Sequence, residues 1–168
     1  MILIASMFLV SIGYTMVIPF LPLYLLDIGV PEESIAIWTG VVFSSCFLVA
    51  GIMGPVWGKM ADTRGKKQMA IRAAVLLGFS YLFCGLSQNA WQMTAARAFM
   101  GFSNGFVAAS MAIISVSADP KNLGATLGMG QTALIVGGIA GPIVGGTLAH
   151  LIGIRNTSSI SAAFLWFV

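Results

Sequence analysis

Charge is what this sequence has least of. Of 168 residues, eight are Lys or Arg and five are Asp or Glu, 8% in all, where a soluble domain carries about 25%. So few charges cannot wet the surface of a folded chain this size, which excludes a soluble globular protein and puts most of the surface against lipid. It also excludes disorder, which needs a charged chain of low hydropathy. Cysteine is nearly absent as well: Cys46 and Cys84 are the only two, each inside an apolar run, so a disulfide scaffold is excluded and buried, inert thiols are expected. With one histidine, no His-Glu-x-x-His or Gly-x-Ser-x-Gly string and no paired acids, hydrolytic and metal chemistry lack equipment. No enzymatic activity, metal or cofactor is expected, and no ring of acids or filter-like loop suggests a channel.

What is present is apolar length, with 58% hydrophobic residues and a mean hydropathy of +0.98. A helix crosses the hydrocarbon core with about 20 apolar residues. On that measure the sequence predicts spans at 2–26, 35–57, 69–86, 93–116 and 123–151, and a sixth that begins at 160 and is still apolar at Val168. This last span is expected to be cut short. Asp27, Gly29, Pro31, Glu32 and Glu33 separate the first two spans, with Ser34 placed to cap the second. Trp38 and Trp57 stand roughly 28 Å apart along it, which predicts one indole at each interface. Lys59, Arg64, Lys66, Lys67, Arg72 and Lys121 fall on one side, against Arg155 on the other. Short basic loops stay cytoplasmic, so a multi-pass protein of the plasma or inner membrane with a cytoplasmic amino terminus is expected. Asp27, Glu32 and Glu33 then face outward. The first span lacks a basic leader and a small-residue cleavage site, and reads as a retained helix. His150, at the outer end of the fifth span, reads as an uncommitted interfacial residue.

Three strings carry more than topology. Gly58-Lys59-Met60-Ala61-Asp62-Thr63-Arg64-Gly65-Lys66-Lys67 joins the second and third spans. A purely topological loop accounts for the lysines but not for the glycines and the aspartate. Gly51, Gly54 and Gly58 form a small-residue series that predicts close helix approach, and Gly65 suits a turn with φ > 0. In the fifth span, Gly137, Gly141 and Gly145 recur at four-residue spacing, a helix-contact stripe. Pro142 within it predicts a bend into which a neighbour packs, with Gly138 and Gly146 alongside.

The third string begins at Arg97, the one charge deep in a span, whose insertion costs about 2.5–3.5 kcal/mol. That cost calls for a partner or a water-filled cavity. On a continuous helix Met93, Arg97, Met100, Asn104, Ala108 and Met111 share one face, and Gly101, Gly105 and Ala112 the adjoining strip. The glycine strip is expected to pack on a neighbour. The Met-Arg-Asn strip is expected either to line a cavity, where flexible thioethers suit varied apolar cargo, or to serve packing. Ser11 and Tyr14 in the first span and Gln131 in the fifth are candidates for the same cavity. Ser11 and Thr132 are the weaker signals, because such hydroxyls often bond back to their own helix.

These strings resemble the motifs of the major facilitator superfamily. The loop is similar to its signature loop, with one departure: Thr63 stands where family members carry a base, and Arg64 follows. Arg97, Gly101 and Gly105 resemble its fourth-helix motif. Gly13, Pro19 and Pro22 in the first span, and Gly137-x-x-x-Gly141-Pro142-x-x-Gly145-Gly146 in the fifth, resemble elements of its drug:proton antiporters. The resemblance covers essentially all 168 residues in the right order. It implies an all-α membrane protein, a six-helix bundle of two three-helix inverted repeats that forms the amino-terminal half of a major facilitator fold.

The function so implied is efflux of drugs or other small apolar or cationic compounds by proton antiport. Export of sugars or metabolites on the same scaffold is the alternative, as is a fragment that transports only with a second six-helix half or as a dimer. Lipid, a small-molecule substrate and protons are the implied partners, and nucleic acid is not one. The substrate-cavity candidates are Ser11, Tyr14, Arg97, Met100, Asn104, Met111 and Gln131. Proton coupling falls to Arg97 and, in the absence of a carboxylate within a span, to Asp27 at the outer end of the first. A guanidinium stays protonated, so Arg97 acts by shifting the pKa of a nearby acid. Gly58, Asp62, Arg64, Gly65, Lys66 and Lys67 form the gating loop, in which Asp62 is implied to latch the cytoplasmic side.

Overall fold

The computed structural model describes the backbone of residues 2–152 and the side chains of residues 3–147. The expected sixth span and Arg155 lie outside the described residues, as does the side chain of His150. Every described element is helical: α1 (Ile2–Met16), a 3-10 turn (Ile18–Phe20), α2 (Leu21–Asp27), a second 3-10 turn (Glu32–Ser34), α3 (Ile35–Arg64), α4 (Lys66–Leu86), α5 (Ala90–Ser103), α6 (Phe106–Ser117) and α7 (Leu123–Ile152). They build five segments long and apolar enough to cross a membrane, with α1–α2 and α5–α6 each serving as one span.

The first and fourth spans are broken, although both were expected to be continuous. In the first, Pro19 and Pro22 each occupy an opening position of a new helical segment, the place where a missing N–H costs least. In the fourth, Gly105 takes φ +129, a conformation outside the helical region that glycine alone adopts readily. The signature loop shows the opposite correction. α3 continues to Arg64 and α4 starts at Lys66, so Gly65, at φ +94, is the single non-helical residue. The positive φ expected there is found, but the loop is two helix ends extending past the apolar stretch. Ser34 makes no side-chain cap, because a 3-10 turn opens α3 instead. Helices α3 and α7 run uninterrupted through Pro55 and Pro142.

The helices pack as α1 on α7, α3 on α5, and α4 across both α5 and α6. One apolar cluster joins Met7, Val10, Tyr81, Met100 and Phe106; a second, toward Asp27, joins Leu21, Leu25, Val42 and Met93. At that end the Tyr24 hydroxyl sits among the carbonyls of Cys84, Gly85 and Ser87 at 3.1–3.2 Å and ties α2 to the end of α4. The turn that follows is fixed by Asn89, whose Oδ1 accepts from Gln92 N at 2.9 Å, while Gln92 Oε1 accepts from Gln88 N at 2.8 Å. Cys46 and Cys84 are free and buried.

The two glycine series behave differently. A Cβ on Gly141 would meet Thr15 Oγ1, Ile12 O at 2.8 Å and Met16 N at 3.1 Å; one on Gly137 would lie 2.7 Å from Phe8 O; one on Gly145 would strike Met16 O. The α7 stripe is therefore the seam with α1. Ser11 Oγ donates across it to Leu134 O at 2.6 Å. Gly51, Gly54 and Gly58 on α3 meet nothing within 4 Å, so the close approach expected there is not made among the described residues.

Candidate functional site

A cavity of about 310 Å³ lies where all five spans converge, with Tyr14 from α1, Cys46 from α3, Leu77 from α4, Met100 from α5, Val107 from α6 and Leu134 from α7 among its walls. Its volume is at the lower end of the range for small-molecule pockets, and its walls are apolar apart from a few hydroxyl, thiol and amide groups. Of the candidates named from sequence, Ser11, Tyr14, Met100 and Asn104 line it. Arg97, Met111 and Gln131 do not.

The break in the fourth span explains why Met111 is not among the lining residues. Asn104 leaves the helix at φ −61, ψ 158, and its Oδ1 accepts from Gly105 N at 2.8 Å. Beyond that point α6 has its own register, so positions after 104 no longer continue the face of α5. Met111 turns toward α7, its Cε 3.2 Å from where a Cβ on Gly130 would stand, and serves packing there. Gln131 is exposed on α7, and Thr132 donates back to Gly128 O at 2.9 Å. Gly101 packs as expected, since a Cβ on it would strike Cys46 O and lie 3.2 Å from Ala50 N on α3. Gly105 meets nothing within 4 Å and makes the turn.

Arg97 is 2% exposed, the largest fully buried side chain described. Its Nη1 lies 3.8 Å from Met100 Sδ, and its guanidinium carbon 5.8 Å from the centre of the Phe43 ring. Nε and Nη2 are buried and meet no hydrogen-bond partner among the described residues. Arg97 thus stands behind Met100 and not in the cavity wall. The Tyr81 hydroxyl is also buried without a partner among the described residues, and Ser103 Oγ lies 3.1 Å from Ser80 Oγ and donates to Phe99 O at 2.8 Å. Ser103, which reaches the cavity, is missed by a reading based on the Met-Arg-Asn face, because it lies one position off that strip.

Asp27 is exposed at the end of α2, at the far end of α3 from Asp62. Asp62, Arg64 and Lys67 are exposed around Gly65, and Lys66 is half-buried. Thr63, in the position that departs from the family pattern, sets its hydroxyl 3.2 Å from both Lys59 O and Met60 O within its own helix. A second cavity, of about 600 Å³, opens at this end between α3, α4 and α6, and Asn104 and Val107 belong to the walls of both cavities. No cluster of three or more His, Cys, Asp or Glu able to hold a metal occurs among the described residues.

Comparison with known proteins agrees with this architecture. Proteins named "Multidrug resistance protein MdtG" are similar to this chain: that of Proteus mirabilis is 39% identical over 160 residues, 95% of this chain and 40% of the relative. Those of Yersinia enterocolitica and Escherichia fergusonii are each 38% identical, over 95% and 94% of this chain respectively and 39% of the relative. The chain therefore spans about two fifths of the length of the curated relatives it matches. A sequence profile of the Major Facilitator Superfamily matches residues 3–168. With its apolar helices, the motif glycines of α5 and α7 seated on their neighbours, and this match along nearly its whole length, the chain is a multi-pass membrane protein and belongs to the major facilitator superfamily.

Proposed function

We propose that this chain forms the amino-terminal bundle of a proton-coupled exporter of drugs or other small apolar or cationic compounds, working by alternating access. The observation that carries the reading is the 310 Å³ cavity at the convergence of all five spans, with polarizable Met100 on one wall and Ser11, Tyr14 and Asn104 as the polar contacts. Apolar walls with few fixed polar groups bind by shape and burial, which tolerates varied cargo. The similarity to multidrug resistance proteins supports the substrate class.

The bundle sits in the plasma or inner membrane, with its amino terminus and the helix ends around Gly65 cytoplasmic, following the excess of Lys and Arg there. Cargo is held between this bundle and a second one, in the same chain or in a partner copy. Arg97 biases the pKa of an acid that approaches during the cycle, for which Asp27 and acids of the second bundle are the candidates. Asp62 helps latch the cytoplasmic side.

Ethidium extrusion tests the reading in cells expressing this chain, alone and with a second six-helix half, before and after a protonophore is added. Extrusion that stops when the proton gradient collapses is the expected result in at least one arrangement. Extrusion indifferent to the gradient overturns proton coupling. Absence of extrusion in both arrangements overturns drug export, and extrusion only with the second half identifies the single bundle as insufficient.

A further inference from the structure

The polar side chains around the 310 Å³ cavity differ in what they have left to offer a guest. Ser11 Oγ donates across the α1–α7 seam to Leu134 O at 2.6 Å. Ser103 Oγ donates to Phe99 O at 2.8 Å and lies 3.1 Å from Ser80 Oγ, which itself donates to Leu76 O at 2.8 Å. Both cavity serines have thereby committed their protons to the protein. Tyr14 and Asn104 have not. Tyr14 is half-buried in the cavity wall, and its hydroxyl bonds to no described residue. Asn104 is exposed where the fourth span breaks, and its Oδ1 accepts from Gly105 N at 2.8 Å. That bond settles which way round the amide stands, because only its oxygen can accept there. Nδ2 is left with two protons and no partner among the described residues.

What these two side chains need is an acceptor. Facing water, their donors are satisfied; covered by a hydrocarbon guest, each is stripped of its partner and costs its full desolvation. A guest with a carbonyl, ether or sulfonyl oxygen removes that cost, because such an oxygen has two lone pairs and no proton of its own. Apolar walls sort guests by shape and burial, whereas donors left bare reject a guest of the right shape that lacks the acceptor. On the reading of this cavity as the cargo site, we infer that its cargo carries a neutral acceptor oxygen, which the Tyr14 hydroxyl and the Asn104 amide receive. The two residues set a preference for such compounds over hydrocarbons of the same shape, and Val10, Leu77, Phe106 and Leu134 take the apolar body.

Benzophenone and diphenylmethane, two-ring compounds that differ by one carbonyl oxygen, test this in equilibrium binding to the purified chain in nanodiscs. The preference for the ketone is expected to fall about fivefold when Tyr14→Phe is combined with Asn104→Asp. That pair keeps the ring of Tyr14 and the oxygen that receives Gly105 N, and removes only the donors. Comparison with the parent cancels the unequal partition of the two probes into lipid. Infrared spectra of the isotope-labelled ketone give a second reading that needs no variant. Its carbonyl stretch is expected at lower frequency when bound to the parent than in protein-free nanodiscs, because a hydrogen bond weakens the C=O bond. The proposal is overturned if the double variant keeps the full preference, or if the bound ketone absorbs at the same frequency as the free one. Either failure is distinct from failure of drug export. Ethidium extrusion without a ketone preference removes the role of the two donors and leaves export standing, whereas a ketone preference without extrusion in either arrangement leaves the selectivity of the cavity and removes export.

Discussion

Helices α3 and α7 have the same length, a proline inside each and a series of glycines along one face, yet they use those glycines in opposite ways. On α7, Gly137, Gly141 and Gly145 lie against the backbone of α1 at distances no side chain would permit. On α3, Gly51, Gly54 and Gly58 face open space, beside exposed Phe47, Leu48 and Ile52. Small residues permit close approach but do not create it; a complementary neighbour must be there. The α7 stripe holds this bundle together. The α3 stripe is an unfilled face that ends at Asp62 and the cavity of about 600 Å³.

Substitutions can break or sharpen this contrast. The largest effect is expected from Gly141→Leu, which drives a branched side chain into Thr15 and the backbone of α1. Loss of about 3 kcal/mol or more in denaturant unfolding in micelles, followed by helical circular dichroism, is predicted, and an unchanged midpoint would contradict the seam. Gly101→Ala comes next, because its Cβ strikes Cys46 O at the α3–α5 contact; about 1–3 kcal/mol is expected by the same measurement. Asp62→Asn leaves folding intact and lowers turnover about tenfold, equivalent to about 1.4 kcal/mol in the barrier. Its substrate affinity should stay within about twofold; initial-rate kinetics that show unchanged turnover with weakened binding would remove Asp62 from gating. Gly51→Ala, on the open face, is expected to change stability by no more than about 0.5 kcal/mol. A cost as large as that of Gly101→Ala would mean the α3 face is already packed.

The sequence announces the spans because a membrane imposes a simple demand, about 20 apolar residues between polar breaks. The described residues build five segments long and apolar enough to meet that demand. The α7 stripe is equally legible, since Gly-x-x-x-Gly-Pro-x-x-Gly-Gly leaves little else for the helix face to do. The broken fourth span is harder to read. Asn104-Gly105 is a turn signal, but within an apolar run it passes for two helical positions, and the face drawn through Arg97, Asn104 and Met111 follows from that assumption. Once Gly105 turns at φ +129, Met111 leaves the cavity for α7. The stacking of the Arg72 guanidinium 3.4 Å over the Trp57 ring leaves even less trace in the sequence. The two residues lie on separate helices, and only the tight reversal at Gly65 brings α4 back beside α3.

Those placements leave the proposed exporter with an apolar cavity, a buried arginine beside it and no acid in a described span interior, so the coupling of cargo to protons is its central claim. The most direct measurement follows the internal pH of proteoliposomes with a trapped indicator, as an ethidium gradient drives dye inward through the protein. Antiport predicts that protons leave as dye enters and that the interior turns alkaline. An interior pH that stays constant during dye entry, or turns acidic, would contradict it.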